Sequence, residues 1–167
     1  MISINLSIEN PEWTVVYSIP AGTVLEKGRR GLYHEMVGSA GLVSDRFGCY
    51  SWAASDGRVY YCGSFSKDYA RGNFKSNLHG RLHNYLQNHR EKDSGFKNTN
   101  LMVFEHVNSL LGSDRVSFQH LKFDSIAIGG ESVSYSEYCE DSSLVKAVEQ
   151  LLISSYRRIG QCEWNRD

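Results

Sequence analysis

The stretch GCYSWAASDGRVYYCGSF, residues 48–65, decides the fold that this 167-residue sequence predicts. Two runs rich in aromatic and small apolar residues, 48–54 and 58–65, flank Ser55-Asp56-Gly57. An Asp-Gly pair between such runs is a strong signal for a tight turn. We therefore predict an antiparallel hairpin in which a two-residue turn pairs Ser55 with Arg58.

The register that follows from this turn places Trp52 opposite Tyr61 and Tyr50 opposite Gly63. Side chains alternate between the two faces of a strand, so these four residues share one face. Tyr50 and Tyr61 become diagonal neighbours, about 7–8 Å apart from backbone to backbone, and their hydroxyls can converge. Gly63 leaves space beside Tyr50 that a substrate could enter. An aromatic pair that only stabilises the hairpin is the alternative interpretation.

Outward from the hairpin, the pattern predicts a small α+β domain with an antiparallel three-stranded central sheet flanked by helices. Leucines at four-residue spacing favour a helix over about 76–89. The last predicted helix, 143–158, has Asp141 or Ser142 as its cap and two arginines in its final turn. The remaining predicted elements are strands around 15–17 and over 122–128, helices near 31–37 and over 100–111, and an acidic loop after Gly129-Gly130.

Composition excludes several classes of protein. Lysine plus arginine is 18 and aspartate plus glutamate is 19, so the net charge of −1 excludes a polycationic tail and argues against nucleic acid. Only two prolines and no low-complexity run argue against disorder. No apolar run is long enough for a membrane span or a signal peptide. The four cysteines lack C-x-x-C spacing, so we expect reduced thiols in a cytoplasmic protein that has no membrane partner.

The net charge argues against nucleic acid, but the charges of separate segments weaken that argument. Residues 57–92 carry seven cations against two anions, a balance of +5, whereas residues 131–149 carry five anions against one cation, a balance of −4. A cationic block of this kind suits a phosphate backbone, although chance clustering on a solvated surface is the alternative.

Two predicted helices carry polar residues beside their apolar stripes. Arg81 and Tyr85 are four residues apart and share a helix face, where the fork of donors on an arginine suits a phosphate. A snorkelling arginine is the alternative. Glu149 lies within an apolar row, which fits either an ion pair with Lys146 or a carboxylate placed for a cation.

Taken in order, these residues resemble the GIY-YIG nuclease superfamily. The two signature triplets read G-C-Y at 48–50 and Y-C-G at 61–63, with cysteine at each centre. The pattern N-L-x-x-R-L-x-x-Y matches residues 77–85, and E-x-x-L-I with a later asparagine matches Glu149 and Asn165. The sequence departs from the family in its longer spacing from Gly63 to Arg81, and in Tyr85, where many members carry histidine.

The resemblance implies a single nuclease domain over 1–167. It would consist of an N-terminal extension, 1–47, and a core, 48–165, with insertions at about 66–76 and 91–120. A compact chain of this kind is similar to restriction enzymes, so the implied activity is a sequence-specific, type II restriction-like DNA endonuclease. A palindromic double-stranded site would require a homodimer or higher homo-oligomer.

The resemblance also implies roles for individual side chains. Tyr50 would deprotonate or orient the attacking water, with its pKa lowered by Arg81 and a divalent cation. Tyr61 would position the water or the scissile phosphate, and Arg81 would bind the phosphate oxygens. Tyr85 would bond the phosphate or share the proton transfer, which leaves open whether Tyr50 or Tyr85 is the general base.

Glu149 would hold one Mg²⁺ or Mn²⁺ ion in each active site, and Asn165 would bond the substrate or the water shell of the metal. The nucleic-acid contacts that we expect are Arg29, Arg30, Lys67, Arg71, Lys75 and Asn77.

Three alternatives stay open at the level of sequence. The first is a phage-encoded, defence-associated, homing or repair nuclease of the same family, acting on DNA, branched DNA or RNA. The second is a non-catalytic nucleic-acid-binding module on this fold, and the third is an unrelated structural domain. An HNH site at His83-Asn84 and His89 is disfavoured because these residues lie on one predicted helix. The other histidines lack consistent ligand spacing, so solvated or core positions are expected for His106 and His120.

Overall fold

The computed structural model describes residues 6–25, 45–66, 78–86 and 99–165, and these form an α+β fold, as the sequence predicts. The helix predicted near 31–37 lies outside the described residues. The described strands are β1 (Leu6–Glu9), β2 (Glu12–Ile19), β3 (Phe47–Ala54), β4 (Val59–Ser66), β5 (Val116–Lys122), β6 (Ser125–Ile128) and β7 (Glu131–Ser134). The described helices are α1 (Leu78–Leu86), α2 (Thr99–Leu111), α3 (Tyr135–Tyr138) and α4 (Ser142–Arg158).

The strands form two antiparallel sheets, one ordered β2-β5-β3-β4 and the other β1-β6-β7. The predicted three-stranded central sheet is therefore wrong, because β2 adds a fourth strand along β5. The pairing extends from Glu12 opposite Lys122 to Ile19 opposite Val116, with one irregularity between Val15 and Tyr17. This strand satisfies the backbone groups that β5 would otherwise leave unpaired.

The strand predicted over 122–128 is also wrong, because the chain changes sheets within it. β5 ends at Lys122 and β6 begins at Ser125, and Asp124 between them bonds to Glu9 and Tyr135 through its backbone. The apolar side chains on both sides of this break pack into one core, so their alternation conceals it. The predicted acidic loop after Gly129-Gly130 is instead β7 followed by α3.

The hairpin register predicted from the Asp-Gly signal is confirmed at its centre. Tyr50 lies opposite Gly63 and Trp52 lies opposite Tyr61. Near the turn the prediction is wrong by one residue, because a bulge follows Trp52 and Ala54, not Ser55, bonds to Arg58 (2.9 Å). The side chain of Asp56 accepts a hydrogen bond from the Arg58 N–H (2.8 Å), which favours this wider turn.

Helices cover both faces of the four-stranded sheet. On the face of Tyr50 and Trp52, the core includes Leu82 of α1 and Val107 of α2. On the opposite face, α4 packs against both β3 and β4. As predicted, α4 begins after the cap Asp141 and carries arginines in its last turn. Within the described residues, no helix is both long enough and apolar enough to cross a membrane.

Candidate functional site

Three tyrosines from β3, β4 and α1 converge on one face of the four-stranded sheet. The hydroxyls of Tyr50 and Tyr85 are 2.6 Å apart and share a buried hydrogen bond. The ring of Tyr61 lies 6.2 Å from that of Tyr50 and 5.9 Å from that of Tyr85. We refer to Tyr50, Tyr61 and Tyr85 as the tyrosine centre. Its two hairpin members meet as the register predicts, and α1 supplies the third.

Gly63 is required by the close approach of Tyr50. The hydroxyl of Tyr50 occupies the place that any side chain at position 63 would take. The space predicted beside Tyr50 is thus filled by its own phenol ring. A larger residue at position 63 would displace Tyr50 from its bond to Tyr85.

Burial controls the acidity of the two inner phenols. Tyr50 and Tyr85 are each only 2% exposed. Burial raises the pKa of Tyr50 well above 10, the neighbouring Tyr61 raises it further, and the charge of Arg81 offsets only part of this. Arg81 alone therefore does not lower the pKa of Tyr50, and the lowering expected from a divalent cation stays a prediction. Burial, followed by the proximity of Tyr50 and Tyr61, raises the pKa of Tyr85 in the same direction. Both inner phenols are protonated at neutral pH.

Tyr61 is the outermost member of the tyrosine centre. It is half-buried, whereas Tyr50 and Tyr85 are buried, and it packs against the edge of the same core. Its position makes it the phenol of the three that is accessible to a ligand.

Arg81 lies one helical turn before Tyr85 on α1. It is half-buried, and its charge acts on Tyr50, so it lies beside the tyrosine centre. The buried Nε of Arg81 has no hydrogen-bond partner within the described part of the chain. A buried donor without a partner is costly, and an anion would satisfy it.

Glu149 approaches the end of β4 from α4, on the opposite face of the sheet. Its Oε2 accepts hydrogen bonds from the hydroxyl of Ser64 (2.9 Å) and the ammonium of Lys146 (2.7 Å). The ion pair with Lys146 was one of the two interpretations that the sequence left open. The carboxylate also raises the pKa of Tyr50 electrostatically, so its field reaches the tyrosine centre.

Ser64 is a site residue that sequence reasoning missed. It follows the second triplet directly, is 7% exposed, and holds the carboxylate of Glu149. Its strand position was available from the hairpin register, but its partner lies 85 residues away and no local pattern links the two.

Asn165 binds the backbone of β4. Its side-chain oxygen accepts from the N–H of Cys62 (2.9 Å), and its amide donates to the carbonyl of the same residue (2.7 Å). Upstream, the N–H groups of Cys162 and Trp164 donate to the carbonyls of Val59 and Tyr60. The tail at 159–165 thus covers the outer edge of the sheet. A contact of Asn165 with substrate or metal water stays a prediction.

A second polar cluster, missed in the sequence, lies beside the tyrosine centre. His120 is directly opposite Tyr50 in β5 and is 1% exposed, so of the solvated and core positions that the sequence left open it has the core position. The hydroxyl of Tyr135 donates to Asp45 (2.9 Å) and lies 3.1 Å from the Nε2 of His120, while Lys122 pairs with Asp45 (3.0 Å). We refer to these four residues as the His120 network. Burial, with a smaller contribution from Lys122, lowers the pKa of His120 to about 4.

The nucleic-acid contacts predicted at Arg29, Arg30, Lys67, Arg71, Lys75 and Asn77 all lie outside the described residues. Two cations of the block over 57–92 are described. Arg81 is one of them, and Arg58 is the other, which binds Glu163 and the carbonyl of Gly160.

Comparison of this chain with models of protein families, with curated proteins and with solved structures finds no match. Among the described residues, no group of three or more histidine, cysteine, aspartate or glutamate side chains is placed to hold a metal ion. Of the predicted site residues that the structure describes, Glu149 is the one that offers a carboxylate to a cation.

Proposed function

We propose that this protein is a Mg²⁺-dependent DNA endonuclease of the GIY-YIG type. One observation carries the proposal: the tyrosine centre lies beside the buried Nε of Arg81, which has no partner among the described residues, and the next residue of β4 after Gly63 holds the carboxylate of Glu149 on the opposite face. Hydrolysis of a phosphodiester requires an oriented water, stabilisation of negative charge on the phosphate, and charge neutralisation. The three groups have the chemistry for these tasks.

The geometry supports a division of labour among the tyrosines. Tyr61 is the accessible phenol, so we assign to it the contact with the attacking water or the scissile phosphate. Tyr50 and Tyr85 are buried and protonated, so they serve as hydrogen-bonding supports that fix the ring of Tyr61. The family resemblance left open whether Tyr50 or Tyr85 is the general base, and the burial of both phenols is the reason for assigning the contact with the water to Tyr61.

We assign to Arg81 the binding of the phosphate oxygens. Its guanidinium presents planar donors that match two phosphate oxygens, and its Nε has no competing partner in the described part of the chain. Charge developing on the phosphate during hydrolysis would fall within reach of this group.

The carboxylate of Glu149 fits a single Mg²⁺ or Mn²⁺ ion. Mg²⁺ is commonly held by one or two carboxylates together with waters and phosphate oxygens. The two hydrogen bonds described for Glu149 both fall on Oε2, and the side chain is 12% exposed. Lys146, whose side chain is 66% exposed, can move towards solvent, while Ser64 keeps the carboxylate oriented. A bound ion would supply charge neutralisation to the phosphate.

The proposed substrate is double-stranded DNA in the cytoplasm, cut at a specific site by a restriction-like enzyme. The cationic block over 57–92 supports binding to a phosphate backbone. A palindromic site requires two active sites, so a homodimer or higher homo-oligomer is part of the proposal.

A second candidate is a nucleic-acid-binding module without catalysis. The ion pair between Lys146 and Glu149 favours it, because that pair occupies the carboxylate that a metal would need. The two candidates differ in whether a metal ion and a water react at the bound phosphate.

Incubation of supercoiled plasmid DNA with Mg²⁺ separates these candidates. We expect cleavage by the wild type, none with EDTA, and a loss of at least about 100-fold in Glu149→Gln, because a metal contributes several kcal/mol to catalysis. Glu131→Gln, at an exposed position of β7, is the matched control and should cleave as the wild type does. Absence of cleavage by the wild type on several DNAs would overturn the enzyme proposal, and full activity of Glu149→Gln would overturn the metal assignment.

A further inference from the structure

Two cysteine thiols meet where the tail at 159–165 covers β4. The sulfur atoms of Cys62 and Cys162 are 3.5 Å apart, and both residues are fully buried. The two positions are 100 residues apart in the chain. A disulfide bond requires about 2.05 Å between the sulfurs, so the atoms have to approach by roughly 1.5 Å. Side-chain rotation can supply a movement of that size.

Hydrogen bonds fix the backbone on both sides of this thiol pair. The N–H of Cys162 donates to the carbonyl of Val59 (2.8 Å), and both backbone groups of Cys62 are held by Asn165. Cys162 has a φ of 57°, a conformation that residues with a side chain rarely adopt. The surrounding contacts therefore determine where its sulfur points, and they direct it at Cys62.

The other two cysteines, Cys49 and Cys139, lie outside this thiol pair. The thiol of Cys49 lies 3.6 Å from the carbonyl of Val145 and accepts a hydrogen bond from Tyr138. Burial raises the pKa of Cys49 to about 12 and that of Cys139 to about 11. The hydrogen bond with Cys62 lowers the pKa of Cys162, and the charge of Arg157 acts in the same direction. Cys162 is thus the thiol of the four that deprotonates most readily.

We propose that Cys62 and Cys162 form an oxidation site that closes to an intramolecular disulfide, with a hydroperoxide as the oxidant. The thiolate of Cys162 attacks one peroxide oxygen, the O–O bond breaks, and a sulfenic acid forms on Cys162. The sulfur of Cys62 then attacks the sulfur of Cys162, and the S–O bond breaks. The two thiols lose two electrons and two protons in total, and one hydrogen peroxide becomes two molecules of water.

The disulfide would join the tail to the centre of β4, between Tyr61 and Gly63. Because it closes a loop of 100 residues, it would raise the melting temperature on the order of 10 °C. The proposal depends on the thiol geometry alone, so it stands or fails independently of the nuclease activity.

A tryptic map of the folded wild-type protein tests the proposal, because each cysteine falls in its own peptide. These peptides are 47–58, 59–67, 123–146 and 159–166. The protein is treated with hydrogen peroxide, its remaining thiols are alkylated, and it is digested without reduction. We expect peptides 59–67 and 159–166 to be joined, the other two to be alkylated, and the melting temperature to rise and then return with dithiothreitol.

Separate alkylation of peptides 59–67 and 159–166 would overturn the proposal, as would a linkage that includes Cys49 or Cys139. Cys162→Ser should lose the linked product, whereas the matched variant Cys139→Ser should retain it. A linked product that survives in Cys162→Ser would also contradict the assignment. Since the wild-type map identifies the pair directly, the result does not depend on how well a variant folds.

Discussion

The tyrosine centre and the His120 network lie on the same face of one sheet and touch at the pair of Tyr50 and His120, yet they differ in their polar balance. The His120 network contains its own carboxylate and ammonium, and Asp45 receives bonds from both Tyr135 and Lys122. The tyrosine centre contains only phenols, beside an arginine Nε that has no partner in the described residues. A network that satisfies its own charges stabilises a fold, whereas one with a spare buried donor is suited to a ligand.

Arg81→Ala gives the largest effect that this comparison predicts. We expect DNA cleavage to fall by about 100-fold to 1,000-fold, the usual cost of removing one donor that stabilises developing charge. The melting temperature should change by only a few degrees, because the Nε of Arg81 makes no bond within the described protein. Initial rates of plasmid nicking and a thermal melt measure the two effects.

Arg115→Ala is the control for this loss, since Arg115 is an exposed cation outside both clusters. Equal losses in the two variants would mean that general electrostatics, and not a specific phosphate contact, explains the result. A large drop in melting temperature of Arg81→Ala alone would place Arg81 among the structural residues.

His120 should make stability depend on pH. Its pKa is about 4 in the folded protein and near 6.5 in the unfolded chain, so the unfolded state binds more protons between these values. Stability is therefore complete above pH 6.5 and is lost as the pH falls towards 4. We expect His120 to lower the free energy of unfolding by about 2 kcal/mol between pH 7.5 and 5.0.

Guanidinium unfolding of wild type and His120→Gln at both pH values isolates this contribution from that of other histidines. The variant should lose less stability on acidification, and it should keep its cleavage rate at pH 7.5 within a few-fold. Identical pH dependence in the two proteins would contradict the assignment. Loss of cleavage in a folded His120→Gln protein would remove the distinction between the two clusters.

The hydrogen bond between Tyr50 and Tyr85 gives the smallest expected effect. A double-mutant cycle of Tyr50→Phe and Tyr85→Phe should yield a coupling energy of about 1 kcal/mol, the usual net value of a neutral hydrogen bond. Urea unfolding measures it. A coupling near zero would mean that the two hydroxyls do not support each other.

The sequence predicts the tyrosine centre better than it predicts its surroundings, and the reason is physical. That Tyr50 and Tyr61 lie on the same face of the hairpin follows from a local turn signal and from the alternation of side chains along a strand. Both features can be read from a short segment of sequence. The bulge after Trp52 shifted the turn without changing the pairs nearer the centre of the hairpin.

The His120 network and the contact of Ser64 with Glu149 depend on long-range approach. Asp45 meets Tyr135 across 90 residues, and Ser64 meets Glu149 across 85. Contacts between residues so far apart in the chain cannot be predicted from the periodicity of a sequence segment. The strand around 15–17 was predicted, but its place as the fourth strand of the sheet was missed for the same reason, since β2 pairs with a strand about a hundred residues later. Burial, which sets the acidity of Tyr50, also appears only once the helices are packed.

The central claim is that the hydroxyl of Tyr61, in the tyrosine centre, takes part in the chemistry. Tyr61→Phe and Tyr60→Phe remove the same hydroxyl from adjacent positions of β4, and Tyr60, which lies in the bulge after Trp52, stacks on Trp164 outside the tyrosine centre. The decisive measurement is the single-turnover rate of plasmid cleavage with Mg²⁺. We predict a loss of at least about 100-fold in Tyr61→Phe, the lower range for removing an acid–base group, and a rate within twofold of wild type in Tyr60→Phe. Equal rates in the two variants would contradict the claim.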